Sequence, residues 1–151
     1  MVATTMRRDD WVTVRELSKL RHDGTVPEIA RLKFPFPNEA QPDLATIVNV
    51  PKPVMSVGES AGRDLFPDIV VVRRPGQFLQ MMAAVETPDT LTDETALNEW
   101  KPMSQVGEFF VYVPAGHVAE TKALLKKHNI KVAGIRTWRF RPVWGLDVVD
   151  A

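Results

Sequence analysis

An uninterrupted β-branched run, IVVV at positions 69–72, lies inside the longer stretch IVVVRRPGQFLQMMAAVE. A strand that alternates apolar and polar residues buries one face, whereas a continuous apolar run predicts a strand that is buried on both faces. Pro75 and Gly76 supply the centre of a tight turn. The stretch therefore predicts an antiparallel hairpin in the interior of a sheet, with a cover on each face.

Two helix–strand units follow this hairpin. TPDTLTDETALNEW and HVAETKALLKKHN have helix patterns, and each precedes an apolar segment typical of a strand, EFFVYVP and KVAGIRTWRF. Short connections from strand through helix to strand favour parallel pairing by a right-handed crossover. The prediction is one α/β domain over residues 1–151, with a mixed sheet flanked by helices on both faces. That sheet consists of an antiparallel hairpin and a parallel βαβ extension.

The first part of the chain predicts less regular structure. Residues 11–24 predict a helix that ends near Asp23 and Gly24, and Pro27 is suited to open a short second helix. Five prolines between positions 34 and 53 argue against a long helix there. Residues 34–66 are therefore predicted to be extended and irregular.

Composition limits the compartment and the chemistry. The 151 residues suit one domain, and the absence of cysteine excludes disulfides, thiolate catalysis, zinc fingers and iron–sulfur clusters. No apolar run approaches the roughly 20 residues that span a bilayer, and no apolar stretch follows the N-terminal charges as in a signal peptide. We expect a cytoplasmic protein without a membrane partner.

The charges cancel in number but not in distribution. Nineteen basic and nineteen acidic side chains give no net charge, yet positions 121–146 contain no acid and positions 86–99 contain no base. The basic stretch could contact the phosphates of DNA, or it could be a basic face that aids solubility. Both interpretations stay open at this point.

Asp68 and Glu86 are the candidate ligands. Asp68 opens the first arm of the hairpin and Glu86 closes the second, so antiparallel pairing would bring both to the same edge of the sheet. Two carboxylates, joined by carbonyls, waters and substrate phosphate, are what Mg²⁺ takes from a protein. Alternatively, the two acids are ordinary solvent-exposed residues at the ends of the hairpin strands and bind no ion.

The chain contains Pro67-Asp68, the hairpin, an acid that closes its second arm, a helix and a further βα unit. This combination resembles the PD-(D/E)XK superfamily of restriction-endonuclease-like nucleases. That family core is a helix, a three-strand meander, a helix and a strand, and the resemblance covers residues 10–113. The VETPDT…EWK arrangement is also similar to a group of uncharacterised bacterial proteins with this fold. The resemblance implies hydrolysis of DNA with Mg²⁺ or Mn²⁺, Asp68 and Glu86 being both the metal ligands and catalytic residues.

The sequence departs from the family at one motif position. The family has a lysine two residues after the second acid, where this chain has Pro88. Lys101, in NEWKPMSQ, is the natural replacement, although it precedes a proline and is therefore predicted at the end of a helix or at a kink. Gln105 is predicted to contact the substrate or a metal-bound water, and Glu59 is a candidate third ligand.

The basic stretch supplies the remaining candidates. Lys122, Arg136 and Arg139 are predicted to contact DNA, with Trp138 and Trp144 as groups that could stack on bases. The same strand could instead form a homodimer contact. Because the motif lysine is missing, a catalytically inactive member of the fold, binding nucleic acid or a protein partner, is the alternative to a nuclease. An interaction domain whose acids only end strands is a third possibility.

Overall fold

A computed structural model describes residues 14–141 and 144–151. Within these residues, six strands form one mixed sheet and two short strands form a separate hairpin. In chain order the strands are β1 Leu44–Val48, β2 Gly58–Ser60, β3 Arg63–Leu65, β4 Ile69–Arg73, β5 Phe78–Val85, β6 Phe109–Pro114, β7 Gly134–Arg141 and β8 Gly145–Asp150. The helices are α1 Val14–Lys33, α2 Asp93–Thr95, α3 Lys101–Val106 and α4 Val118–Lys127, with a π-helical turn Ala96–Trp100 that joins α2 to α3.

The main sheet has the order β1-β4-β5-β6-β7-β8. Strand β4 pairs antiparallel with both β1 and β5, and β5, β6 and β7 run parallel to one another. Strand β8 returns antiparallel to β7. The predicted mixed α/β sheet, with an antiparallel hairpin and parallel βαβ units, is therefore confirmed.

The sheet is covered on both faces, as the apolar run predicts. One core contains Ile69, Val71 and Val85 of the sheet together with Val26 and other residues of α1. The opposite core packs sheet residues against the π-helical turn, α3, α4 and the β2–β3 hairpin; its members include Met82, Val111, Trp100, Leu125 and Leu65. Val70, Val71 and Val72 are 0%, 0% and 1% exposed, which is the burial that the missing alternation implies.

The prediction of a helix break near Gly24 and Pro27 is wrong. Helix α1 continues through both residues to Lys33. Glycine and proline inside a helix cost about 1 and 3 kcal/mol. However, Val26 and Ile29 are fully buried against the sheet, and burial of such side chains contributes roughly 1.5–3 kcal/mol each. Tertiary packing thus outweighs local propensity. The predicted start at residue 11 lies outside the described residues.

Residues 34–66 are more regular than predicted. They contain β1, which pairs along its length with β4, and the small β2–β3 hairpin. The prolines flank these strands rather than interrupt them. In the sheet β4 lies between β1 and β5, so these three strands form an antiparallel set that follows α1 and precedes the helical segment 93–106.

Lys101, expected at a helix end or at a kink, lies at the irregular junction where the π-helical turn Ala96–Trp100 passes into α3. Lys101 has helical angles, φ −62° and ψ −53°, and its N–H donates to the carbonyl of Ala96, five residues earlier. In a regular α-helix the ring of Pro102 would clash with the carbonyl four residues before it. The widened π-helical turn before Pro102 accommodates the proline without ending the helix. No helix in the described part of the chain has the length and apolar character to cross a membrane.

Candidate active site at the carboxyl end of β5

Asp68 and Glu86 line one pocket of about 440 Å³, here called the acid pocket. Asp68 directly precedes β4 and Glu86 directly follows β5, and antiparallel pairing of these strands brings both residues to one edge of the sheet. The edge is the carboxyl end of β5, where open α/β sheets commonly bind ligands. The other walls come from the N-terminal half of α1, residues 87–90 and Glu99.

Asp68 is held in place by both of its carboxylate oxygens. The Val85 N–H donates to Oδ2 at 2.7 Å, and Nε2 of His22 lies 3.0 Å from Oδ1. Asn49 fixes the backbone on either side, because its N–H donates to the Asp68 carbonyl and its side-chain amide donates to the Pro67 carbonyl. The Asp68 carboxylate therefore accepts a hydrogen bond at the end of the β4–β5 ladder, and it also lines the acid pocket.

Glu86 is buried and hydrogen-bonded from both sides of the sheet. Its side chain is 5% exposed, and the indole N–H of Trp100 donates to Oε2 at 2.9 Å. The indole N–H of Trp138, from the opposite core, donates to the Glu86 main-chain carbonyl at 3.1 Å. Burial, followed by repulsion from Asp68, raises the pKa of Glu86 from 4.5 to about 8. At neutral pH most molecules therefore carry a neutral carboxylic acid at this position.

His22 is a member of the site that the sequence interpretation missed. Its ring lies between two carboxylates, with Nδ1 2.9 Å from Asp23 and Nε2 3.0 Å from Asp68. Burial alone lowers the pKa of His22, but the hydrogen bond and charge of Asp68 outweigh it and raise the pKa to about 9. His22 is therefore a cation at neutral pH. Its spacing of four residues from the buried Val26 is the sequence signal that places it on the inner face of α1.

Pro88 has a structural role where the resembled family has lysine. It opens a short 3₁₀ turn, Pro88–Thr90, in which Thr87 and Thr90 cap each other. Asp89 of this turn accepts hydrogen bonds from Thr87 and from Ser18 of α1, which ties the turn to the first helix across the pocket mouth. The chain thus leaves the sheet immediately after Glu86.

Lys101, Gln105 and Glu59 do not line the acid pocket. Lys101 follows Trp100, and it is the indole of Trp100, not the lysine, that contacts Glu86. Gln105 is exposed on α3, and Glu59 is exposed on β2. The structure therefore brings together Asp68, Glu86 and His22, but not the predicted lysine or the two polar residues. Trp100 and Met103 lie in the core.

The basic candidates lie elsewhere and mostly have acidic partners. Lys122 is exposed on α4. The guanidinium of Arg136 lies 4.5 Å from the centre of the Phe110 ring, and its Nε is 2.9 Å from Asp150. Arg139 is 3.5 Å from Asp147. These acids belong to β8, beyond the acid-free stretch, so strand pairing brings opposite charges together. Lys127 likewise meets Asp93 of the base-free stretch, at 2.9 Å.

The donor chemistry of the acid pocket suits a divalent cation only in part. Asp68 and Glu86 are hard oxygen donors. A cation would nevertheless compete with His22 for Asp68 and with a proton for Glu86. Within residues 14–141 and 144–151, no three or more acidic, histidine or cysteine side chains are placed to share a metal ion.

Comparison with known proteins adds no assignment. No protein-family model, curated protein or solved structure matches the chain.

Proposed function

We propose that the chain is a restriction-endonuclease-like domain that hydrolyses DNA phosphodiester bonds with Mg²⁺ or Mn²⁺. The order of elements supports this proposal. Helix α1, the antiparallel strands β1, β4 and β5, the helical segment 93–106 and the parallel strand β6 follow the order helix, meander, helix, strand. That is the order expected of the superfamily that the sequence resembles.

The observation that carries the proposal is the convergence of Asp68 and Glu86 on one pocket. Burial, followed by repulsion from Asp68, raises the pKa of both Glu86 and Glu99. Carboxylates that repel one another across a pocket are stabilised by a cation between them. The pocket is also large enough for a substrate group, since ligand sites typically have volumes of roughly 300–1,000 Å³.

In this proposal each side chain has a defined task. Asp68 and Glu86 would hold the ion. The Val85 N–H fixes the Asp68 carboxylate, and Glu86 would bind after it has lost its proton. The bound ion would activate water and stabilise the negative charge that develops at phosphorus. His22 supplies the positive charge beside the acids that the missing lysine supplies in the resembled family. Trp100 orients the Glu86 carboxyl group through its indole N–H.

The test compares three proteins for nicking of supercoiled DNA and for Mn²⁺ binding by calorimetry. We expect the wild type to nick DNA only with Mg²⁺ or Mn²⁺, and Asp68→Asn to lose at least about 100-fold in rate because catalysis needs the charged ligand. Glu59→Gln, which removes an exposed acid outside the pocket, is the control and should keep wild-type activity. Nicking that persists in Asp68→Asn would exclude this site.

A specific observation favours a second function, a catalytically inactive member of this fold that binds nucleic acid or a protein partner. Both carboxylates already have partners, His22 at Asp68 and the Trp100 indole at Glu86. Mn²⁺ binding without any cleavage, or DNA binding that needs no metal, would favour this alternative. Binding of neither metal nor DNA would leave the interaction-domain interpretation.

A further inference from the structure

A second pocket, here called the side pocket, borders the acid pocket. It has a volume of about 490 Å³ and lies between the β2–β3 hairpin and the helical segment 93–106. Glu99 lines both pockets. Its carboxylate interacts electrostatically with Asp68 of the acid pocket and with Arg63 of the side pocket. The two pockets therefore form neighbouring compartments on either side of one side chain.

The walls of the side pocket combine apolar surface with hydrogen-bond acceptors. Leu65 and Met103 are buried at its base, whereas Phe66 and Leu97 are 37% and 46% exposed and offer apolar surface to a ligand. Its charged lining residues are the acids Asp64, Glu94 and Glu99 and the single base Arg63.

This lining disfavours binding of a phosphate and favours binding of a flat, neutral ring that carries N–H donors. Three carboxylates against one guanidinium repel an anion. An exposed aromatic ring and an exposed leucine offer a surface on which a base can stack, and stacking of this kind contributes about 1–3 kcal/mol per base. Carboxylates accept hydrogen bonds from the exocyclic amino groups of cytosine and similar bases.

We propose that the side pocket binds an unpaired nucleobase with an exocyclic amino group, from the strand whose phosphate lies in the acid pocket. This inference rests on the proposed function and narrows its substrate. A base in an intact duplex is stacked and paired and cannot enter such a pocket. The preferred substrate is therefore single-stranded DNA, or a duplex with an unpaired base next to the scissile bond. Adenine, cytosine and guanine should bind better than thymine.

The test uses a single-stranded oligonucleotide that carries one 2-aminopurine, a fluorescent base with an exocyclic amino group. Binding to the Asp68→Asn protein is followed by fluorescence, without added metal, so that no cleavage occurs. We expect the fluorescence to change on binding and the same base in a duplex to bind at least tenfold more weakly. Phe66→Ala, which removes the stacking ring, should weaken binding about tenfold or more, and Leu97→Ala, which removes part of the apolar wall, should weaken it as well.

Phe78→Ala is the matched control. Phe78 is also an exposed phenylalanine, 67% exposed, but it begins β5, at the end of the strand opposite the acid pocket. Equal binding of duplex and single strand, wild-type affinity of both pocket variants, or an equal loss in Phe78→Ala would overturn the proposal. Because this assay needs no catalysis, base binding without DNA nicking refutes only the nuclease function. Metal-dependent nicking without base binding refutes only the side pocket.

Discussion

Replacing Glu86 with glutamine should make the stability of the protein less dependent on pH. Glutamine imitates the protonated acid, keeps an oxygen that can accept from the Trp100 indole, and cannot ionise. Because the pKa of Glu86 is raised from 4.5 to about 8, the folded state holds a proton in this interval that the unfolded state has released. The wild type therefore loses folding free energy as the pH rises from about 4.5 to 8, and the variant does not lose this contribution.

The size of the effect follows from the proton linkage. One pH unit between the two pKa values is worth about 1.4 kcal/mol. Between pH 5 and pH 8 the stability of Glu86→Gln relative to the wild type should therefore rise by about 3–4 kcal/mol. The raised pKa of His22 adds a further loss of stability between about pH 6.5 and pH 9 in both proteins, and this loss should be smaller in Glu86→Gln because the charge of Glu86 contributes to the raised pKa of His22.

Urea denaturation, followed by far-ultraviolet circular dichroism at intervals of one pH unit from 5 to 9, measures this difference. Glu59→Gln controls for the loss of one negative charge at an exposed position. A stability difference between Glu86→Gln and the wild type that stays constant across this range would refute the inference that Glu86 is neutral at pH 7.

Two further predictions concern the framework of the site. Asn49→Ala should destabilise the fold by about 3–5 kcal/mol, because the buried Asn49 side chain makes four hydrogen bonds. It donates to the Pro67 and Met55 carbonyls and accepts from the Val54 and Met55 N–H groups. A loss below 1 kcal/mol in urea denaturation would contradict this. Gly24→Ala should stabilise the protein by about 1 kcal/mol, because Gly24 lies in α1 and an added Cβ meets no atom within 4 Å. Gly116→Ala, at an equally open position with φ +91°, should destabilise it instead, and shifts of thermal midpoint in the same direction for both glycines would contradict the backbone argument.

The sheet was predictable because its signals are local. The unbroken IVVV run predicts burial on both faces, and the Pro75-Gly76 turn then fixes antiparallel pairing. Once β4 and β5 pair in this way, Asp68 and Glu86 must lie at the same edge, and they do line one pocket. This part of the site follows from strand order and direction without knowledge of any side-chain contact.

The other members of the site depend on contacts between distant segments. His22 meets Asp68 because α1 packs on the sheet, and the fully buried residues of that contact, Val26 and Ile29, lie beyond Gly24, where local propensity predicts a helix end. Lys101 was expected near the acids, but Trp100, the last residue of the π-helical turn, contacts Glu86 instead. The pairing of Arg136 with Asp150 likewise requires β8 to fold back on β7.

Two indole N–H groups donate to Glu86, one to its carboxyl group and one to its main-chain carbonyl, and they connect this residue to both faces of the sheet. Trp100 belongs to the layer that contains the 93–106 segment, and Trp138 belongs to the layer under α1. A substitution that repacks either layer can therefore shift the acid from a distance. Under the proposed function, variants that lose DNA nicking in a mutational scan should lie in two separate cores as well as around the acid pocket, and restoring volume in the affected core should restore nicking to the core variants.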